Sequence, residues 1–387
     1  MYRKHLIWLI IAAFLLAGCG RQAVPPIAPP DETVRAVWIP YMEMEGLLAS
    51  DDPAAAVRAC VRDCAARGIN TLYLHVRANS DAYYPSSVYP QTASTEASGI
   101  DPLAVALEEA HRLGLSLHAW INPYRIGKDV TNARSQDVFC YEERWYYVPT
   151  AQSTHDLVVS GVRELTERYD IDGVQFDDYF YPVGAVEDAA PSPFEQETFA
   201  AYQAAGGALT VADWRRAAVS RLIGAVYAVC HNRDGCVFGV SPAADRQTVK
   251  ERMYADTALW ASTKGYVDYL CPQLYFGFEH ETSPFLQELS DWSALRRHAS
   301  VSLIAGLALY KTGLRDDPYA GSGNGEWATG GDLIARQFRL VQAAGWQGAA
   351  LYSHLSFETD DTRDEAVVQK EIVALERVFV VDNGEKT

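Results

Sequence analysis

"DIDGVQFDDYFYP" (residues 170–182) joins an apolar run to two adjacent carboxylates and a group of aromatic residues. Ile171 and Phe176 belong to a predicted buried strand, and Asp177 and Asp178 stand at its far end. A charge in that position is costly unless water or a partner reaches it. The stretch therefore predicts a strand that ends at a functional site.

Seven other stretches of the same kind each precede a helical pattern. Strands that alternate with helices pair in parallel, and eight of them close a barrel. The alternative, an open doubly wound sheet, requires a Gly-rich turn after the first strand, where "PYMEMEG" stands. We therefore predict an α/β fold, a single-domain (β/α)8 TIM barrel over residues 34–378, with a tail at 379–387. The eight predicted strands are 34–41, 70–78, 116–124, 171–179, 237–243, 266–276, 301–310 and 347–357.

Along these strands, one set of alternate residues is apolar and the other is largely polar or aromatic. Leu72, Leu74 and Val76 belong to the apolar set, which should face the helices. The other set should face the barrel axis, and its polar members fall mostly in the C-terminal halves of the strands, at the catalytic face of such barrels. The axis-facing set comprises Trp38, His75, Arg77, His118, Trp120, Asn122, Gln175, Asp177, Ser241, Gln273, Tyr275, Tyr352 and His354.

Helix signals punctuate the segments between the strands. Asp52-Pro53 and Asp101-Pro102 each predict a capping carboxylate followed by the first helical turn. Residues 183–210 do not fit a minimal strand–helix unit. They form a long acidic segment, which we predict to be a lid or a cleft wall.

The first 33 residues are predicted to be a leader and a spacer. Residues 1–18 have a basic start and a short apolar core, and "LAGC" places Cys19 as the lipidation site. Residues 19–33 are a Pro-rich tether. The apolar run is too short to span a bilayer unaided. We therefore expect an exported protein held at the cell envelope by a lipid anchor.

Charge and cysteine content exclude several classes of partner. The chain carries 33 basic and 50 acidic residues, and loss of the leader makes the balance more negative. This balance argues against nucleic acid and against a polybasic membrane contact. No Cys/His pattern predicts a metal or another cofactor. Cys60 and Cys64 are predicted core thiols, whereas Cys230 and Cys236 are the candidates for a disulfide.

Asp177 is the predicted essential carboxylate, as nucleophile or base, since it faces the axis at the catalytic end of its strand. A structural ion pair with Arg77 is the alternative. In a regular strand Asp178 points the other way, so a second carboxylate should come from another strand end, with Glu279 as the leading candidate. If the backbone kinks at the pair, Asp178 instead reaches the cleft, and a third alternative is that it orients a neighbour. Weaker candidates are Glu43, Glu45, Asp81 and Asp245.

Aromatic and amide side chains surround these acids in the predicted barrel. Ring faces stack on sugars, and sugar hydroxyls need polar partners, so this composition predicts a carbohydrate site. Cleavage of a glycosidic bond requires two carboxyl groups flanking the bond. The candidate binding residues are Trp38, Arg77, Asn79, Asp81, His118, Asn122, Tyr124, Arg125, Tyr179, Gln273 and Tyr275.

The segments "NTLYLHVRANSDAYYPS", "HAWINPYR", "YDIDGVQFDDYFYP" and "VDYLCPQLYF" carry a family resemblance. The chain resembles the glycosyl hydrolase-like 10 lipoproteins, a family of cell-envelope (β/α)8 barrels. The resemblance implies hydrolysis of peptidoglycan glycan strands, and site roles for Arg77, Asn122, Asp177 and Asp178. The chain departs from the family at "SPAADRQTVK" and "SHLSF". A weaker resemblance to chitinase barrels places Tyr179 where their acid stands.

We therefore predict a glycoside hydrolase that acts on envelope polysaccharide, with Asp177, Asp178 and Glu279 as candidate catalytic residues. One alternative is a non-catalytic glycan-binding lipoprotein on an inactivated barrel. Another is a metal-dependent hydrolase, which would have a His-x-His pair ending the first strand. "WIPYME" contains no such pair.

Overall fold

Eight parallel strands close into a barrel in the computed structural model of the protein, which describes residues 33–381. The last barrel strand pairs with the first, with Val34 opposite Gly348. The predicted (β/α)8 barrel is therefore confirmed, although each strand is shorter than predicted. The barrel strands are β1 (Val34–Ile39), β2 (Thr71–Arg77), β3 (Ser116–Ile121), β7 (Gly173–Phe176), β8 (Val237–Val240), β9 (Tyr269–Leu270), β10 (Ser302–Leu307) and β11 (Gly348–Leu351). Three further strands lie outside the barrel: β4 (Arg125–Gly127), β5 (Val138–Tyr141) and β6 (Arg144–Tyr147).

Helices lie between the barrel strands. Asp52 and Asp101 accept hydrogen bonds of 3.0 Å from the N–H groups of Ala55 and Ala104, so both predicted caps are confirmed. The helices are α1 (Tyr41–Leu48), α2 (Pro53–Ala66), α3 (Ala93–Ser98), α4 (Pro102–Arg112), α5 (Gln152–Arg168), α6 (Gln196–Ala204), α7 (Val211–Cys230), α8 (Arg246–Glu251), α9 (Thr257–Ser262), α10 (Phe285–Ser293), α11 (Leu333–Ala343) and α12 (Glu365–Val381).

Alternate strand residues divide the buried interior into two layers. Leu72, Leu74 and Val76 belong to the large apolar cluster that includes the helix faces, as predicted. Trp38 and Tyr269 belong to a separate buried cluster built from the opposite set of strand residues. The barrel is thus packed on both faces of its sheet, and its axis is filled by side chains rather than open.

Residues 125–147 contain an element that the sequence pattern did not predict. Strands β4, β5 and β6 form a small antiparallel sheet in the order β4-β6-β5, within the connection that follows β3. Each of these strands has only three or four residues, which is too short for alternation to be recognised. Tyr141 of β5 and Tyr146 of β6 line a cavity on this side of the barrel.

The C-terminal boundary of the barrel differs from the predicted one, and the predicted N-terminal leader cannot be compared. Helix α12 continues to Val381, past the predicted barrel end at 378, because Phe379 is buried against Phe338. The predicted leader (1–18) and Cys19 lie outside the described residues. Within residues 33–381, no helix has the length and apolarity needed to span a bilayer.

The acidic segment 183–210 is folded and fastened to helix α7. Its Glu195 and Arg215 of α7 are both fully buried and form an ion pair of 2.6 Å. Tyr181 donates a hydrogen bond of 2.6 Å to the same carboxylate, and Arg215 also donates to the carbonyl oxygen of Glu187. The segment is therefore held in place by a buried ion pair whose two charged groups also have further hydrogen-bond partners.

Replacing Arg215 by Met should lower the free energy of unfolding by about 3–5 kcal/mol, because Glu195 would remain charged and buried without its cation. Urea unfolding measures this change. Arg216→Met is the matched control, since Arg216 pairs with the half-exposed Asp213 and should change stability by less than about 1 kcal/mol. Equal effects of the two substitutions would contradict the role given to the buried pair.

Candidate active site

A cavity of about 220 Å³ lies among the C-terminal ends of the barrel strands. Two carboxylates and six aromatic side chains line it, together with a serine and a glutamine. It is at this end that (β/α)8 barrels place their active sites. The lining residues are Trp38, Trp120, Asp177, Asp178, Tyr179, Ser241, Gln273, Tyr275, Tyr310 and Tyr352.

Asp177 is buried directly after β7, with 3% of its surface exposed. Its Oδ2 accepts a hydrogen bond of 3.0 Å from the indole N–H of Trp120, and its Oδ1 accepts one of 3.4 Å from the backbone N–H of Tyr179. Burial, and next the negative charge of Asp178, raise the pKa of Asp177 to about 7. At neutral pH this carboxyl group is therefore poised between its protonated and ionised forms.

Asp177 has no ion pair within the described part of the chain, so the alternative of a structural pair with Arg77 is wrong. Arg77 is buried elsewhere: it donates a hydrogen bond to the carbonyl oxygen of Asn122, and its guanidinium lies 4.5 Å from the ring centroid of Tyr89. A register shift between His75 and Arg77 interrupts the regular alternation of β2. Counting alternate residues along the sequence therefore predicted wrongly that the Arg77 side chain faces the barrel axis.

Asp178 lines the same cavity as Asp177, which is the alternative expected if the strand breaks at the pair and not the arrangement of a regular strand. Strand β7 ends at Phe176, and the backbone bends at Asp178, so the rule that neighbours point to opposite faces stops applying before the pair. Burial raises the pKa of Asp178, while a hydrogen bond from the Gln273 side chain lowers it. Two neighbouring acids thus reach one cavity because the strand stops one residue before them.

Aromatic rings form the walls of the cavity and are themselves held in place. The Trp38 indole N–H donates a hydrogen bond of 2.6 Å to Gln175, and the Trp120 ring stacks on His75 with centroids 3.6 Å apart. Burial raises the pKa of Tyr310 and Tyr352 to about 12, so both phenols stay protonated and can donate hydrogen bonds. Flat rings combined with fixed donors suit the face and the hydroxyl groups of a sugar.

Of the predicted sugar-binding residues, Trp38, Tyr179, Gln273 and Tyr275 line the cavity. Arg125 lies beside it, with its guanidinium 4.7 Å from the ring centroid of Tyr179. The charge of Arg125 lowers the pKa of both Asp177 and Asp178 and so opposes part of the effect of burial.

The other predicted binding residues support the barrel or lie outside the cavity lining. Asn122 accepts hydrogen bonds from the N–H groups of Tyr124 and Arg125 and so shapes the turn after β3. His118 bonds the Tyr269 hydroxyl inside the barrel, where burial lowers its pKa to about 4. Gly173 is needed there, because a Cβ atom at that position would lie 2.7 Å from His118 Nδ1.

Further residues are placed away from the cavity by the loops that carry them. Tyr124 is buried against Phe180, with ring centroids 6.4 Å apart. Asn79 lies beside the backbone of Gly127, and Asp81 accepts a hydrogen bond from Asn132.

The structure does not bring a second carboxylate from another strand end into the cavity. Glu279, the leading candidate, is exposed and is not among the lining residues. Asp245 caps helix α8, Glu45 accepts a hydrogen bond from Tyr83, and Glu43 bonds His354. The neighbouring Asp178 takes the place that was expected for one of these acids.

Tyr310 lines the cavity, but the strand pattern in the sequence did not identify it as a site residue. It lies in a 3-10 turn (Leu309–Lys311) that follows β10, where alternation no longer predicts direction. Ser241 and Tyr352 were predicted to face the axis but were not proposed as site residues. The signal that could have found all three is their position within a few residues of a barrel strand's C-terminal end.

A second cavity of about 240 Å³ adjoins the first and shares Asp178 and Tyr179 with it. Tyr141 and Tyr146 of the antiparallel sheet line this second space, as does Val183 from the start of the acidic segment. Asp178 therefore stands where two aromatic-lined spaces meet, and Asp177 lines the first of them.

The comparisons with known proteins agree with this geometry. A model of the glycosyl hydrolase-like 10 family matches residues 33–320. Glycosyl hydrolase YngK of Bacillus subtilis is 29% identical over 355 residues, covering 81% of this chain and 67% of that protein. Glycosyl hydrolase DigH of Escherichia coli is 31% identical over 286 residues, covering 64% of this chain and 63% of that protein. The chain thus spans about two thirds of the length of these relatives.

Solved structures of low sequence identity share the fold. The glycoside hydrolase domain of PgaB (BpsB) from Bordetella bronchiseptica has a TM-score of 0.56 at 15% identity, covering 90% of this chain and 99% of that one. The catalytic domain of β-amylase from Paenibacillus polymyxa has a TM-score of 0.57 at 12% identity, with the same coverage of both chains. Both likenesses show the barrel alone.

The raised pKa of Asp177 predicts how its replacement changes stability with pH. Because the folded-state pKa of about 7 exceeds the ordinary value of 3.8, the wild-type free energy of unfolding should fall by on the order of 4 kcal/mol as pH rises from about 4 to 7. Asp177→Asn should lack most of this fall, and so should melt higher than the wild type at pH 8 and near it at pH 4. Thermal melts across this range measure the difference, and a variant that melts early at every pH would show that Asp177 is a structural charge.

Proposed function

The chain belongs to the glycosyl hydrolase-like 10 family, and we propose that it hydrolyses the glycan strands of peptidoglycan with Asp177 and Asp178 as its reacting carboxyl groups. The observation that carries the proposal is the pair itself: two acids with raised pKa values in one aromatic-lined cavity at the catalytic end of the barrel. Cleavage of a glycosidic bond needs two carboxyl groups with different protonation states.

Asp177 is the candidate proton donor in this mechanism, and not the nucleophile or base that the sequence suggested, because its pKa is raised. Its pKa of about 7 leaves a proton on it in neutral and mildly acidic solution, available for the oxygen of the leaving sugar. The Trp120 N–H and the Tyr179 N–H then stabilise the carboxylate that remains. Because these donors are already in place, the charge that develops on Asp177 requires no rearrangement of its surroundings.

Asp178 is the candidate for the ionised role. Burial raises the pKa of Asp178, and its hydrogen bond from Gln273 and the nearby positive charge of Arg125 oppose that effect by favouring the carboxylate form. A carboxylate in this position stabilises the positive charge that develops on the sugar ring as the bond breaks. The surrounding rings hold the sugar against the two acids and exclude water from its faces.

Polysaccharide is the substrate class that the cavity shape favours. Two spaces that meet at Asp178 and Tyr179 allow sugar units to bind on both sides of the bond to be cleaved. The predicted lipid anchor at Cys19 would hold the barrel in the cell envelope, where peptidoglycan is found. The family resemblance and the predicted envelope location both support that glycan as the substrate.

Asp177→Asn and Asp178→Asn should each lower hydrolysis of purified peptidoglycan glycan strands by about a thousandfold, because each removes one of the two groups needed at the bond. The measurement is the appearance of new reducing ends. Glu279→Gln is the matched control: it neutralises an exposed carboxylate outside the cavity and should leave the rate unchanged. A wild-type protein that binds the strands but releases no reducing ends would instead be a glycan-binding protein.

Cys19→Ala should move the protein from the membrane fraction to the soluble envelope fraction, because the proposed acyl anchor attaches to that thiol. Fractionation of cells that express each form measures the distribution. A variant that still sediments with membranes would place the anchor elsewhere in the chain.

A further inference from the structure

Three metal-binding side chains converge on the outside of the barrel, away from the two acids. Cys60 and Cys64 lie on helix α2, and His354 lies in the 3-10 turn (His354–Phe357) that follows β11. One ligand atom from each of the three lies within 4.8 Å of the other two. The turn after β11 therefore carries His354 into contact with α2, which corrects its predicted place on the barrel axis.

The chain brings these groups together through three separate elements. Cys60 and Cys64 are four residues apart on a helix, so their side chains share one face. Glu43, from helix α1, reaches the same place: its Oε1 lies 3.6 Å from Cys60 Sγ and is hydrogen-bonded to His354 Nδ1. Sequence spacing could not reveal this cluster, because His354 is 294 positions from Cys60.

The distances from Cys60 Sγ fit one tetrahedral ion, whereas Glu43 Oε1 and His354 Nδ1 are hydrogen-bonded to each other and would separate as the ion enters between them. Cys60 Sγ lies 3.7 Å from His354 Nδ1 and 3.6 Å from Glu43 Oε1. Ligand atoms about 2.0–2.3 Å from a tetrahedral Zn²⁺ lie roughly 3.3–3.8 Å from one another, and both distances from Cys60 Sγ fall in that range. Two thiols, an imidazole and a carboxylate are also the ligand types that zinc takes.

The histidine is oriented as a metal-binding histidine would be. His354 Nδ1 faces Cys60 and Glu43, while Nε2 lies 3.0 Å from Asp63 Oδ2. Arg67 donates a hydrogen bond of 2.6 Å to that same Asp63 oxygen and holds it in position. A carboxylate that accepts from the far ring nitrogen fixes the tautomer in which the near nitrogen can bind a metal.

Two further features point to a ligand at this cluster. Glu43 is buried, and its Oε2 has no hydrogen-bond partner within the described residues. A cavity of about 530 Å³ reaches Glu43, Cys60, Asp63 and His354, which gives an ion a path to the cluster.

We propose that Cys60, Cys64, His354 and Glu43 bind one Zn²⁺ ion. On binding, the two thiols release their protons to solvent and bind as thiolates, His354 binds through neutral Nδ1 with its Nε2–H donating to Asp63, and Glu43 binds as the carboxylate. All four positions are protein ligands, so the ion is structural. Its effect is to join α1 and α2 to the turn that begins two residues after the cavity residue Tyr352.

Cobalt(II) titration of the full chain, purified under reducing conditions and stripped of metal, tests the proposal. One equivalent should bind and produce the near-ultraviolet thiolate-to-cobalt absorption together with the visible bands of a tetrahedral site, and zinc should displace it and raise the Tm. Cys60→Ser, Cys64→Ser and His354→Gln should each lose the thiolate band or weaken metal binding at least tenfold.

The matched control is the double variant Cys230→Ser/Cys236→Ser. These two cysteines, the predicted candidates for a disulfide, are free and buried in the structure, so the variant removes another pair of neighbouring thiols and should keep full binding. Zinc-edge X-ray absorption on the unaltered chain needs no variant to fold, and should show two sulfur ligands at about 2.3 Å with two nitrogen or oxygen ligands. Absence of a stoichiometric site, a zinc shell without sulfur, or loss of binding in the control variant would overturn the proposal.

Discussion

Closure of eight parallel strands into a barrel is the constraint on which the rest of the structure depends. Each strand is then packed on both faces, against helices outside and other side chains inside, so a charge within the strand finds no water. Polar groups can be tolerated where the strands end and the packing opens. The acids Asp177 and Asp178 stand at such an end, directly after Phe176, and the aromatic cavity is built there.

The same constraint explains how much the sequence could predict. Two-faced burial produces the apolar alternation of Leu72, Leu74 and Val76, and each strand signal is followed by a helix signal such as Asp101-Pro102. These patterns are local, so strand number, parity and fold class follow from them. The register shift before Arg77 and the packing of His354 on helix α2 depend on contacts between distant segments. Alternation cannot encode such contacts, so the predicted directions of Arg77 and His354 were wrong, and alternation alone left two directions open for Asp178.

The cavity places unfavourable electrostatics where a reaction can use them. Burial of Asp177 beside a second carboxylate makes its ionised form costly, and two N–H donors and the nearby Arg125 offset part of that cost. Such a buried acid lowers the stability of the folded protein, but it keeps a proton that it can donate near neutral pH. The buried pair of Arg215 and Glu195 differs from Asp177, because each of its charges has an opposite charge in contact, and this ion pair holds the surrounding segment in place.

The pH dependence of kcat/KM for release of reducing ends from glycan strands tests the central claim most directly, because it reports the pKa of the essential acid in the free enzyme. If Asp177 donates the proton, the rate should decline as pH rises through about 7, the pKa at which that residue loses it. A rate that stays constant or increases from about pH 6 to 9 would contradict the assignment of Asp177 as the proton donor.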